Sequence, residues 1–112
     1  MITRITRGTL HRNSEARVFE VLRTAFEGAP RPPGLRSFTL NRRVTSRSTV
    51  ELVAITVWDD VESMEATIGP RWREPSWLPG LEGSIDEQSV DILEAVVFGY
   101  EHLAEARTPA DH

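Results

Sequence analysis

Residues 52–64 read LVAITVWDDVESM, and the pattern changes from strand to helix within this stretch. The first seven residues are almost entirely apolar, as in a strand that is covered on both faces. From Asp59 onward the apolar residues have helical spacing, and Asp59 and Glu62 are placed like a capping box. Gly69 is expected to end this helix at about residue 69. We therefore predict a buried strand over 49–58 that leads directly into an amphipathic helix.

The sequence on either side predicts four further elements. β-Branched or alternating residues indicate strands, and apolar positions at helical spacing indicate a helix. The elements are a strand at 2–10, a helix at 14–27, a strand at 35–44 and a strand at 89–98. Their order is β-α-β-β-α-β, the ferredoxin-like arrangement, in which a four-stranded antiparallel sheet carries two helices on one face. The predicted fold class is therefore α+β.

The apolar strand at 49–58 also predicts an assembly. Both of its faces need cover, and the two predicted helices can cover only one of them. We therefore expect a second copy of the chain to cover the other face, as in a homodimer. One domain is expected at residues 1–98, followed by a C-terminal tail at 99–112. The irregular stretch 71–88 is long for a compact domain, and such loops often carry function.

Composition limits the classes of function. The chain has 112 residues and a net charge of −4, and this mild acidity argues against broad nucleic-acid binding. No apolar run reaches the roughly 18 residues that a membrane helix needs, so we expect no membrane partner and a cytoplasmic location. The chain has no cysteine, and therefore no disulfide and no thiolate nucleophile. All 13 basic residues are arginine, so a fixed positive charge in a site must be a guanidinium.

This order of elements resembles the dimeric α+β barrel superfamily, and in particular the antibiotic biosynthesis monooxygenase domain. The stretch 52–66 carries the resemblance, because it joins an apolar third strand ending in Trp58 to acidic caps and an amphipathic second helix. The resemblance covers about residues 2–98. It implies a homodimer whose two sheets close a shared barrel, with a pocket between the sheet and helices of each monomer. Several members of this group oxidise phenolic or anthrone-like polyketides with O2 and without a metal or flavin.

The sequence departs from the group at the expected catalytic positions. Oxygenases of this kind usually carry an Asn on the first strand, a Trp on the third strand and a His or Tyr near the second helix. Only the Trp is matched, by Trp58, and the first strand offers Thr3, Thr6 and Thr9 in place of Asn. No His lies between residues 12 and 101, so the haem-ligating His of the haem-degrading relatives has no counterpart. Haem degradation is therefore disfavoured.

Aromatic residues are the main candidates for substrate binding. Trp58 would stack on a planar substrate, or pack as a core residue at a strand end, or do both. Trp72 and Trp77 would cover a pocket or form the barrel rim at the dimer contact. Phe38 is expected to point inward from the strand at 35–44. The predicted substrate-binding residues are Trp58, Phe38, Trp72, Trp77 and Arg42.

Two polar residues are candidates with simpler alternatives. His11 follows the first strand and is the predicted general acid or base, unless it is a solvated His at a strand–helix junction. Arg42 would reach an anionic or carbonyl group of a ligand. Its alternative is a strand-end Arg that reaches solvent or pairs with Glu51 across the hairpin. The other two His, at 102 and 112, lie in the tail, so we expect no metal site.

Two functions therefore remain open. The first is a cofactor-independent oxygenase, or a related isomerase or cyclase, that acts on a flat aromatic, polyketide-like small molecule. The alternative is a non-catalytic homodimer that binds a small apolar ligand or acts as a scaffold, because a fold alone does not confer activity. Both hypotheses predict a homodimer with no cofactor and no nucleic acid. The expected ligand is an apolar or aromatic small molecule, except in a scaffold dimer whose pocket is filled by its own side chains.

Overall fold

The fold is an α+β sandwich of one sheet and two helices in the computed structural model, which describes residues 1–78, 80–81 and 83–96. The elements are β1 (Ile2–His11), a 3-10 turn (Arg12–Ser14), α1 (Glu15–Glu27), β2 (Leu35–Val44), β3 (Thr49–Trp58), α2 (Val61–Ile68) and β4 (Asp86–Glu94). The strands form an antiparallel sheet in the order β2-β3-β1-β4. This confirms the predicted ferredoxin-like α+β arrangement.

β1 and β3 form the centre of the sheet, and their alternation separates its two faces. Ile5 lies opposite Ile55, and Thr6 lies opposite Ala54. The even-numbered residues of β1 are all buried on the helix-facing side of the sheet, whereas the odd-numbered residues from Thr3 to Thr9 on the other face are half-buried. Side chains alternate between the faces of a strand, so every second residue of β1 points into the interior.

The N-terminus of α2 differs from the predicted capping box. Asp60, not Asp59, is the N-cap, and its Oδ1 accepts the backbone N–H of Ser63 at 2.8 Å. Asp59 lies outside the helix because its backbone N–H donates to the carbonyl of Gly34 at 2.8 Å and its carboxylate pairs with Arg36 at 2.6 Å. The capping box of Asp59 and Glu62 was therefore wrong by one residue at its first position.

The last strand is shifted toward the N-terminus relative to the prediction. β4 spans Asp86–Glu94, whereas the sequence pattern predicted 89–98. Glu94 lies opposite Ile2, the first residue of β1, and beyond this pair one further hydrogen bond runs from the Ala95 N–H to the Met1 carbonyl at 3.0 Å. Phe98 and the weakly helical stretch predicted at 100–107 lie outside the described residues.

The buried side chains form two apolar clusters on the helix-facing side of the sheet. One cluster joins α1 to β3 and the irregular segment, and it contains Leu10, Val18, Leu22, Val50, Leu52, Leu81 and Ile85. The other lies under α2 and contains Ile2, Trp58, Met64 and Trp72. Within the described part of the chain, no helix is long and apolar enough to cross a membrane.

Candidate functional site

A cavity of about 680 Å³ opens between the sheet and the helices and touches both core clusters. Its volume lies within the range of small-molecule sites, about 300–1,000 Å³. β1, β2 and β3 form one side, and α1, the end of α2 and the loops at 29–32 and 76–78 form the other. Most of the wall is apolar, and its larger side chains include Phe26, Phe38, Leu40, Trp58, Trp77 and Leu78.

The polar lining is concentrated around Arg4. This side chain is only 6% exposed, and Thr6, two residues along β1, is 2% exposed. The Arg4 Nη1–H donates to Thr6 Oγ1 at 2.8 Å. Thr56 and Ser76 complete this group of hydroxyl-bearing neighbours in the cavity wall. With Thr67 at the end of α2 and Arg31 on the loop at 29–32, the described lining of this mainly apolar space contains four hydroxyl-bearing residues and two arginines.

Arg4 also fastens the irregular segment onto the sheet. Its Nε–H donates to the carbonyl of Trp72 at 3.0 Å, and Nη2 donates to the carbonyl of Glu74 at 2.8 Å and to Ser76 Oγ at 3.3 Å. These bonds hold residues 72–76 against β1 and so place Trp77 in the cavity wall. Burial lowers the pKa of Arg4 from its ordinary value, but an arginine guanidinium stays protonated in proteins.

Three of the predicted binding residues line the cavity. Trp58 is 2% exposed and belongs to the core under α2, so it packs as a core residue and also forms part of the cavity wall. Its Nε1–H donates to Thr56 Oγ1 at 2.9 Å, which fixes the plane of the indole. Phe38 packs on Phe26 with ring centroids 4.3 Å apart. Trp77 is the third, and it lies between the first core cluster and the cavity.

Trp72 lies in the core and not in the cavity wall. It is 6% exposed, packs in the cluster under α2, and donates from Nε1 to the Glu65 carboxylate at 2.8 Å. The guanidinium of Arg73 stacks on its ring at 4.3 Å. Its backbone carbonyl is nevertheless one of the groups that hold Arg4, so Trp72 supports the site without lining it.

His11 and Arg42 lie away from the cavity. His11 is exposed at the end of β1, where its Nδ1 accepts the backbone N–H of Asn13 at 3.2 Å and caps the 3-10 turn. Arg42 pairs with Glu15 of α1 at 2.9 Å. It is Arg43, the next residue, that pairs with Glu51 across the hairpin, at 2.8 Å. Neither His11 nor Arg42 is among the described residues that line the cavity.

Arg4 and its hydroxyl neighbours are the site residues that the sequence analysis missed. The segment ITRITRG contained a signal for them, because Arg4 and Arg7 are three residues apart. Residues separated by an odd number lie on opposite faces of a strand, so one of the two arginines had to face the helices. Which of the two it is depends on the register that places Ile2 and Leu10 in the core.

Comparisons of sequence find no relative: no protein-family profile and no curated protein matches this chain. Solved structures do match. A crystal structure of a variant of MhuD, with two manganese protoporphyrin IX molecules per active site, has a TM-score of 0.62 at 16% identity and covers 88% of this chain and 97% of that chain.

Two further solved structures cover 87% of this chain and 94% of their own. One is a Bacillus cereus protein described as an antibiotic biosynthesis monooxygenase, with a TM-score of 0.56 at 12% identity. The other is a variant of SnoaB, a cofactor-independent oxygenase from Streptomyces nogalater, with a TM-score of 0.53 at 21% identity. At these identities the likeness shows the fold. The chain is therefore similar in fold to the antibiotic biosynthesis monooxygenase group of α+β proteins.

Proposed function

We propose that this protein is a cofactor-independent oxygenase that acts on a flat aromatic, polyketide-like small molecule. The observation that carries the proposal is the cavity of about 680 Å³ with aromatic walls between the sheet and the helices. The cavity has rigid apolar faces, which suit a planar ring system, from Trp58, Phe38 and Trp77. The similarity in fold to SnoaB, a cofactor-independent oxygenase, supports the same reaction class.

The reaction is the oxidation of an activated methylene group to a carbonyl by O2. The substrate loses a proton to form an enolate, and this anion supplies the electrons that reduce O2. One oxygen atom forms the new carbonyl, and the other leaves as water with the two methylene hydrogens. The protein holds the ring system against the apolar cavity wall, and an anthrone-like substrate suits this reaction because its methylene group ionises readily.

The polar lining does not suit a haem. The described residues of the cavity wall include no His, Cys, Met or Tyr side chain that could ligate the iron. The MhuD variant binds manganese protoporphyrin IX, but at 16% identity that property does not transfer with the fold. We therefore derive no step that passes through a haem.

An oxygen electrode tests the oxygenase directly. We expect the purified protein to consume one O2 per molecule of at least one anthrone in a panel, with the corresponding anthraquinone as product. The variant Ala54→Leu places a larger side chain in the cavity wall and should lower the rate by about tenfold or more. Ala66→Leu makes the same change on the exposed side of α2 and should leave the rate unchanged. No uptake with any member of the panel would contradict the oxygenase.

One observation favours the alternative of a non-catalytic ligand-binding protein. Among the described residues of the cavity wall, none is a carboxylate or an imidazole that could take the proton. The same cavity would then sequester an aromatic ligand without changing it. Binding of anthrones without O2 uptake, lost in Ala54→Leu and kept in Ala66→Leu, would identify this function.

The homodimer is part of the proposal under either function. The face of the sheet away from the helices carries Ile5, Val53, Ile55 and Val57 on its two central strands. No element among residues 1–78, 80–81 and 83–96 packs over this face, and Leu93 beside it is 51% exposed. A second copy that brings the same face would bury an apolar surface from both chains, as closed twofold assemblies do.

A further inference from the structure

We propose that Arg4 is the binding site for an anionic oxygen of the aromatic ligand, either a carboxylate or an ionised phenol or enol. The inference rests on the proposed function in that it needs an aromatic ligand in the cavity. It does not need that ligand to be oxidised. The inference therefore restricts the substrate class to ligands with a negative charge and assigns Arg4 as the side chain that recognises this charge.

The first support is a buried positive charge with neutral partners. Arg4 is 6% exposed, and its four hydrogen bonds go to the carbonyls of Trp72 and Glu74 and to the hydroxyls of Thr6 and Ser76. Carbonyl and hydroxyl dipoles solvate a guanidinium but do not neutralise it. A buried charge without a counter-ion is costly, and an anionic ligand would offset that cost.

Two acidic side chains at the residues that hold Arg4 are engaged elsewhere. The Glu74 carboxylate pairs with Arg71 at 2.5 Å, and the Glu65 carboxylate accepts the indole N–H of Trp72 at 2.8 Å. Within the described ranges, no carboxylate lies within 4.0 Å of the Arg4 guanidinium. The counter-charge is therefore not supplied by the described part of the chain.

The second support is the charge of the cavity as a whole. The chain is acidic, with a net charge of −4. The charged side chains among the described lining residues are nevertheless both cations, Arg4 within the cavity and Arg31 on the exposed loop beside it. A cavity lined by one sign of charge and low-dielectric walls attracts ligands of the opposite sign.

The third support is a donor that remains available. A guanidinium has five N–H groups, and the described neighbours of Arg4 accept four of them. The remaining N–H is on Nη1, and Arg4 lines the cavity. A charged donor held in place by four other bonds is pre-organised, so it can stabilise an oxyanion without rearranging.

This arrangement has a consequence for the proposed reaction. A fixed cation beside the ring system would stabilise the enolate more than the neutral ketone and so promote loss of the methylene proton. The cavity could then ionise its substrate although the described lining residues include no carboxylate or imidazole. Arg4 would act as the electrostatic catalyst, and water would take the proton.

A simpler role for Arg4 is to hold residues 72–76 against β1 without contacting the ligand. The two roles are distinguished by comparing the binding of a negatively charged ligand with that of its neutral analogue. The experiment measures the affinity of 2-naphthoate and of its neutral methyl ester by quenching of tryptophan fluorescence at pH 7. We expect the wild-type protein to prefer the anion by about tenfold or more. Arg4→Gln should lose this preference and still bind the ester. Arg7→Gln, on the opposite face of the same strand, should keep the preference.

A second probe distinguishes a phenolate from a carboxylate. 1,8-Dihydroxyanthraquinone changes colour when it ionises, so its absorbance reports its pKa in the bound state. If Arg4 binds a phenolate, that pKa should fall by about one unit or more on binding, a tenfold shift in ionisation. Arg4→Lys keeps the positive charge but makes fewer hydrogen bonds, so it should retain part of the decrease in the pKa of the bound dye. It also serves as the test variant if Arg4→Gln does not fold.

The outcomes separate this proposal from the oxygenase. Equal affinity of the wild-type protein for 2-naphthoate and its ester, with no fall in the pKa of the dye, would overturn the role of Arg4 and leave aromatic binding standing. So would an anion preference that persists in Arg4→Gln. An anion preference without O2 uptake on any substrate would support Arg4 and reject the oxygenase. No binding of any probe would reject both.

Discussion

At the scale of single residues, Gly8 and Trp77 explain how the irregular segment reaches the sheet. Gly8 is buried in β1, where the Ile85 side chain lies against it with the Trp77 indole beside it. The indole Nε1–H is buried and has no hydrogen-bond acceptor among the described residues. The missing side chain at Gly8 therefore makes room for the aromatic wall of the cavity.

Gly8→Ala should destabilise the protein and weaken ligand binding. A Cβ at this position would collide with Cγ2 of Ile85 and lie 3.3 Å from Trp77 Nε1. Overpacking of this kind costs about 1–3 kcal/mol of unfolding free energy, which a urea titration measures. Gly28→Ala is the control, since its Cβ would meet only the Thr24 carbonyl at 3.9 Å. Equal stability of the two variants would contradict the packing described here.

Arg4 shows what a residue pattern can and cannot predict. Strand alternation required an arginine on the inner face, but only the three-dimensional structure shows that its neighbours are backbone carbonyls from residues 72 and 74. Those carbonyls belong to a segment with no periodicity, and no sequence rule places such a segment. Trp58 was predictable because it ends a strand whose register is set by its apolar pattern. Trp72 and Trp77 were not distinguishable until one was found in the core and the other in the cavity wall.

At the scale of elements, the sequence predicted the type of every described helix and strand, and it was less accurate at their ends. α2 begins one residue later than the capping box implied, because Asp59 is held by Gly34 and Arg36. β4 ends at Glu94, which lies opposite Ile2 at the start of its partner strand. Both shifts come from contacts with residues far away in the chain. Local patterns contain no information on such contacts.

The cap of α2 should make stability depend on pH. The hydrogen bond from the Ser63 N–H lowers the pKa of Asp60 from its ordinary value. The carboxylate therefore stabilises the fold above the pKa that Asp has in the unfolded chain, and this contribution is lost as the pH falls through the lower pKa of the folded state.

Two variants at this position test the cap by thermal unfolding. Asp60→Ala should lower Tm by a few degrees at pH 7, and the deficit should shrink as the pH falls below about 4. Asp60→Asn keeps the acceptor oxygen and should unfold near the wild-type temperature at pH 7. If Glu62→Gln lowers Tm as much as Asp60→Ala does, the assignment of the cap to Asp60 is wrong.

At the scale of the whole molecule, the two faces of the sheet have different surroundings. The helix-facing side encloses the cavity, and we assign the opposite side to a second copy of the chain. Ile55 lies at the centre of that opposite face, directly across from Ile5. Its half-buried state in a single chain leaves an apolar surface that the described elements do not cover.

Ile55→Glu should convert the homodimer to a monomer. A carboxylate at this position would be buried in the interface twice, once from each copy, and the desolvation of the two charges would oppose association. Sedimentation analysis should show about twice 12.6 kDa for the wild-type protein and 12.6 kDa for the variant. Ala66→Glu adds the same charge to the exposed side of α2 and should leave the dimer intact. A wild-type monomer would show that the outer face has another role.

The central claim is that the cavity between sheet and helices holds a flat aromatic molecule, and a crystal structure of the protein with 1,8-dihydroxyanthraquinone tests it most directly. We predict the ring system in the cavity against Trp58 and Phe38, with one oxygen within hydrogen-bond distance of Arg4 Nη1. A cavity closed by its own side chains, or a dye bound only at the molecular surface, would contradict the account.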